Sequence, residues 1–109
     1  MANGVKSRVK LPATAKVGEV ITIKTLITHQ MESGQRVDAL GQTIPRSIIH
    51  RFTCSFEGET VVDVETGPGI SNNPFFEFSV RVPRSGVFSF AWHDDDGSIY
   101  TASREIAVT

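Results

Sequence analysis

Few side chains in this 109-residue sequence could do chemistry: one thiol, three imidazoles, a run of three carboxylates and a pair of acids around a turn. The thiol is Cys54, and a nucleophilic cysteine needs an imidazole or a helix N-terminus beside it to lower its pKa. His50 lies four residues earlier. At about 3.3 Å per residue an extended strand holds their Cα atoms roughly 13 Å apart, too far for a dyad. Cys54 also alternates with Phe52 and Phe56, the pattern of a small buried hydrophobe. A blue-copper centre needs two His and a Cys, usually with an axial Met. His29, His50, His93, Met1 and Met31 are present, but nothing after Cys54 brings a nearby His or Met. Asp94-Asp95-Asp96-Gly97 lacks the alternate spacing and distal Glu of a calcium loop. It suits a hairpin turn in which glycine takes the positive φ, leaving at most a weak surface cation site. His93 beside it is expected to be exposed and to titrate normally. Glu57 and Glu59 flank Gly58 and read as solvated. No nucleophile elbow, phosphate-binding glycine loop or Cys-x-x-Cys is present. The expectation is no catalytic residue, no cofactor and no metal: a binding or structural module, not an enzyme.

The elements that carry these residues read as strands. Val, Ile and Thr together number 31, against 10 for Leu plus Ala, and branching at Cβ favours a pleated strand over a helix. Val5 to Leu11 alternates Lys6, Arg8 and Lys10 with Val5, Val9 and Leu11; its cations read as a solvated edge face that resists unwanted pairing, or as a small basic patch for an acidic partner. Glu19 to His29 places Ile21, Ile23 and Ile27 on one face and is long enough to expect a bend or a bulge. Ile48 to Phe56 and Thr60 to Val64 form a hairpin around Glu57-Gly58-Glu59. Gly67-Pro68-Gly69 and Asn72-Asn73-Pro74 bound a further loop. Phe75 to Val82, Val87 to Asp94 and Ser98 to Val108 complete about seven strands. The pattern predicts an all-β fold, an immunoglobulin-like antiparallel sandwich, with a small closed barrel as the alternative. Phe52, Phe56, Phe76, Phe78, Phe88, Phe90 and Trp92 are the expected core. Between the second and third strands, Gln30 to Arg46 is polar and aperiodic. A loop of that length in a compact domain is usually functional; the alternatives are an extra edge strand or a single helical turn.

Length and composition predict one domain over residues 1–109. A single cysteine excludes an internal disulfide framework, and 11 basic against 12 acidic residues argue against a nucleic-acid module. No apolar run reaches the roughly 18 residues of a membrane helix, and the first residues do not read as a signal peptide. Residues 1–54 carry net +5 and residues 55–109 net −6, weakly consistent with a charge-complementary partner surface.

The long loop and its flanks carry a family pattern. Residues 23–51, IKTLITHQMESGQRVDALGQTIPRSIIHR, with GISNNPFFEF at 69–78 and SGVFSFAWHDDDG at 85–97, resemble the SoxZ family, the small subunits of the SoxYZ sulfur carrier of thiosulfate oxidation. The stretch from His29 through Met31, Glu32, Gly34, Arg36 and Asp38 to Ile44-Pro45-Arg46 is the most specific. The resemblance implies an immunoglobulin-like fold and a heterodimer with a SoxY subunit. SoxY bears sulfur intermediates on a cysteine in a C-terminal Gly-Gly-Cys-Gly-Gly arm. This sequence closes on Ile106-Ala107-Val108-Thr109, so the resemblance makes it the non-covalent brace of the pair. It further implies transient docking to other Sox enzymes and a periplasmic location reached by export with SoxY. An interface of that kind should bury more than about 1,200 Å² in total. The expected contact region is the loop, with Met31, Arg36, Asp38, Ile44 and Arg46 as candidates; the alternative for the loop is a lid over one end of the sandwich. A generic immunoglobulin-like recognition module for a protein or sugar is the competing function.

Overall fold

Period-two alternation along the chain leaves each strand with one apolar face, and two sheets bury those faces against each other. A computed structural model describes residues 5–29, 31–67 and 73–109. The strands are β1 (Ser7–Lys10), β2 (Thr14–Ala15), β3 (Glu19–Ile27), β4 (Ile49–Phe56), β5 (Glu59–Glu65), β6 (Phe75–Val82), β7 (Gly86–Asp94) and β8 (Ile99–Val108). One sheet has the order β1-β3-β6 and the other β2-β8-β7-β4-β5. This is the expected immunoglobulin-like sandwich, with eight strands among the described residues where the sequence suggested about seven. The addition is β2, two residues long and parallel to the end of β8. Its apolar run is too short to show a period.

The core lies where the alternation puts it. Phe52, Phe88, Phe90 and Trp92 are fully buried from the larger sheet, and Ile21, Ile23 and Ile27 face them from β3. Phe76 and Phe78 are only partly buried. Even so, Phe76 stacks on Phe52 with ring centroids 4.6 Å apart, and such pairs add to simple burial.

The expected bulge occurs on a different strand. β3 stays in continuous register with β6 from Glu19 opposite Val82 to Leu26 opposite Phe75. The irregularities lie in β4, where the pairing with β7 slips between Ile49 and Arg51 and the pairing with β5 slips between Cys54 and Ser55. The first slip lets Ile49 and Phe52, three residues apart, both sit at 0% exposure, which strict alternation forbids. The β4–β5 turn is Glu57-Gly58, with φ of 49° and 85°. Positive φ at both central residues is the hairpin geometry that follows strand twist. Glu57 is exposed as expected, but it does more than meet water: its carboxylate accepts the Val87 N–H at 2.8 Å. The loop bounded by Gly67 and Pro74 falls largely outside the described residues.

Candidate functional site

The stretch from Met31 to Arg46 is neither an edge strand nor a helical turn. It is a loop held by two isolated bridges, Glu32 with Ser47 and Val37 with Thr43. A polar loop must satisfy its own backbone, and this one does so with residues the sequence singled out. Asp38 turns its carboxylate inward to accept the N–H groups of Leu40 at 2.9 Å and Gln42 at 3.0 Å. The Asp38 N–H donates to the Gln42 carbonyl at 2.8 Å, closing the tip. The Ile44 N–H donates to the Arg36 carbonyl at 2.8 Å. The Arg36 guanidinium clasps Glu32 with its Nε 2.9 Å from Oε2, and this partner holds the Glu32 carboxyl below the usual carboxylate range. Gly34, at φ 85°, packs so close to Arg46 that a Cβ there would meet its Cβ at 3.1 Å.

The base of the loop is tied to the β7–β8 turn. Arg46 donates to both oxygens of Asp95, at 2.8 and 3.0 Å. Asp95 also accepts the Ile48 N–H at 3.2 Å and faces the His50 ring at 3.2 Å. Partial burial pushes the Asp95 carboxyl up, but Arg46, the Ile48 N–H and His50 together outweigh it and hold the group below 3.8. Met31 is half-buried against the core, and its sulfur accepts the Ile49 N–H at 3.3 Å.

The five candidate contact residues lie on one loop but at different places in it, Met31 against the core, Asp38 at the tip and Arg46 at the base, and much of their polar capacity is spent on the loop and its anchorage. Two apolar side chains are not. Leu40 is 84% exposed and Val37 61%, both on the tip that Asp38 closes. Sequence reading passed over them because isolated apolar residues in a polar stretch carry no period.

His93 departs from expectation. It is half-buried, and burial, then Arg51 and His50, hold its imidazole below 6.5. Because both Asp95 and His93 titrate lower when folded, the unfolded chain binds more protons in acid. The His93 contribution is complete above pH 6.5 and fades as pH falls through its folded value; the Asp95 contribution is complete above 3.8 and fades below it. We expect melting temperature to fall in two steps on acidification, with Asp95→Asn reducing the lower step, which Glu32, Asp63 and Asp96 share because their carboxyls are also held low when folded. A pH series of thermal melts checks this.

Beneath the loop lies a buried network that the sequence did not disclose. His29 Nε2 sits 2.8 Å from Asp94 Oδ2, and the Tyr100 hydroxyl donates to the same oxygen at 2.8 Å. The Asp96 N–H donates to Asp94 Oδ1 at 3.3 Å. His29 and Asp94 are 5% and 3% exposed. The Asp94 end of the acidic run is thus interior, while Gly97 takes the expected positive φ of 89°.

Cys54 is fully buried, and burial pushes its thiol up to about 12. His50, displaced by the β4 slip, meets Asp95 instead of Cys54. Among the described residues no group of three or more His, Cys, Asp or Glu could hold a metal ion. Raising a thiol from 9.0 to about 12 cuts its thiolate fraction at neutral pH about a thousandfold. Native Cys54 should resist a thiol-reactive dye for hours and react once urea unfolds the chain; prompt native labelling would contradict this burial.

Residues 9–105 match the family model described as sulphur oxidation protein SoxZ. A search of curated proteins found no significant match. Among solved structures, superoxide reductase (neelaredoxin) from Ignicoccus hospitalis aligns with TM-score 0.70 at 18% identity, over 94% of this chain and 80% of that one. The sulfur carrier protein SoxY from Chlorobium limicola f. thiosulfatophilum aligns with TM-score 0.64 at 15% identity, over 99% and 81%. A CARDB domain from Pyrococcus furiosus aligns with TM-score 0.61 at 9% identity, over 96% and 94%. Likeness at these identities is one of fold.

Proposed function

Because this chain belongs to the SoxZ family of sulphur oxidation proteins, with a role in the SoxYZ system, we propose that it is the non-catalytic subunit of that carrier. On this reading it braces a SoxY-like partner whose cysteine bears the covalent sulfur intermediates. The site chemistry supports the division of labour. The only thiol here is interior and hard to ionise, so a sulfur adduct must sit elsewhere. An arm that visits several enzymes needs a rigid base, and two sheets closed on an aromatic core provide one. Heterodimer formation, docking to other Sox enzymes and a periplasmic location belong to this proposal. Among the described residues no helix is long and apolar enough to cross a membrane.

The observation that carries the interface is the loop tip. A side chain as large as Leu40 at 84% exposure, on a turn ordered by Asp38, is the form of a pre-organised contact whose ordering cost is met before binding. Met31, Arg36, Asp38, Ile44 and Arg46 shape and anchor the loop; Val37 and Leu40 enter the partner. Val37→Asp with Leu40→Asp leaves the Glu32–Arg36 and Arg46–Asp95 pairs intact. It should weaken affinity for the SoxY subunit at least about tenfold by calorimetry, since losing apolar anchors at an interface centre costs over about 1.4 kcal/mol. Unchanged affinity would move the interface elsewhere. Turnover of thiosulfate by this chain alone would instead mark it as an enzyme.

A further inference from the structure

A second surface, sharing no residue with the loop, lies on the outer face of the three-stranded sheet. Strand register builds it. Arg8 stands opposite Leu26, which stands opposite Phe75; in the next row Lys10 stands opposite Lys24, which stands opposite Glu77. Directly opposed side chains share a face, and like charges so placed repel. The Lys10–Lys24 opposition is therefore unfavourable in the free chain. Glu77 relieves it only weakly, at 3.9 Å from Lys24 with both side chains about half exposed. The Arg8 and Lys10 side chains make no hydrogen bond or ion pair among the described residues, and the Arg104 side chain from β8 donates to the neighbouring Ser103 carbonyl at 2.7 Å. These four cations, with Leu26 and Phe75, line a groove of about 450 Å³. Phe75 is 57% exposed, an aromatic face left open beside uncompensated positive charge.

The geometry points to a docking groove for an acidic segment of a partner protein, one with carboxylates for Arg8, Lys10 and Lys24 and an apolar side chain for the Leu26–Phe75 floor. Carboxylates between Lys10 and Lys24 would turn the like-charge opposition into attraction. A broad membrane surface fits less well, because the cations line a concave groove on a chain of net charge −1. The inference extends the carrier-subunit reading by assigning a second partner chemistry, and its test leaves the SoxY contact untouched.

The probe is a short synthetic peptide of alternating Glu and Ser with one central Phe, titrated into the isotope-labelled full chain and followed by amide shifts and fluorescence anisotropy. Shifts should concentrate at Ser7–Lys10, Lys24–Leu26 and Phe75, with binding that weakens as salt is raised. Arg8→Glu, Lys10→Glu and Lys24→Glu together should abolish it while affinity for the SoxY subunit stays unchanged. A peptide in which Lys replaces Glu should not bind. The proposal is overturned if the acidic peptide does not bind, if it binds outside the groove, or if the triple variant binds it equally well. It is also overturned if only sulfate, or only vesicles of phosphatidylserine, produce the shifts. Self-association of the triple variant, with no peptide binding by the natural chain, would mark the cations as guards of the sheet edge.

Discussion

Replacing His29 with Leu is expected to lower folding stability by about 3 kcal/mol, read from urea denaturation at neutral pH. Asp94 is 3% exposed and gathers three donors: the His29 ring, the Tyr100 hydroxyl and the Asp96 N–H. Removing one partner of a buried pair costs about 3–5 kcal/mol, because the survivor stays out of water without compensation. The lower end applies here since two donors remain. The loss is a large share of the 5–15 kcal/mol typical of a domain. Asp94→Asn keeps the volume and one acceptor, and it should recover part of the loss when combined with His29→Leu. A cycle over the two substitutions isolates their coupling. A single-variant loss under about 1 kcal/mol would mean that the network contributes little.

Phe52→Ala should cost more, about 3–5 kcal/mol, the range for truncating a buried aromatic with incomplete collapse of the cavity. Phe52 is fully buried, and its ring lies 4.6 Å from Phe76, 5.4 Å from Trp92, 6.2 Å from Phe78 and 6.5 Å from Phe90. It therefore joins both sheets, and the void it leaves would face four rings that cannot all move in. Phe75→Ala, at 57% exposure on the outer face, should change stability by less than about 0.5 kcal/mol. Equal losses at the two positions would contradict the assignment of inner and outer faces.

The fold was legible because burial acts on one residue at a time with period two. Phe52, Cys54 and Phe56 declare a face without reference to anything distant, and Glu57-Gly58 declares the turn that follows. The candidate site was less legible because its contacts join residues far apart in sequence. His29 meets Asp94 across 65 positions and Arg46 meets Asp95 across 49, and no local pattern encodes either pairing. Neighbouring aspartates diverged for the same reason. Asp94 points inward to His29 and Asp95 outward to Arg46, a difference set by their places at the end of β7 and in the turn that follows, not by residue type. The family pattern located the loop; only its hydrogen bonds reveal that Asp38 shapes the tip while Leu40 presents it.

The two-residue strand β2 has a mechanical corollary. Thr14 and Ala15 run parallel to Ala107 and Val108. The Ala107 and Thr109 N–H groups donate to the Ala13 and Ala15 carbonyls, each at 3.0 Å. Tension drawing these two segments apart along the chain would load those bonds together, in shear. They would have to rupture as a set before β8 could peel from β7, so this clasp sets a force threshold when Thr14 and Val108 are pulled apart along the strands.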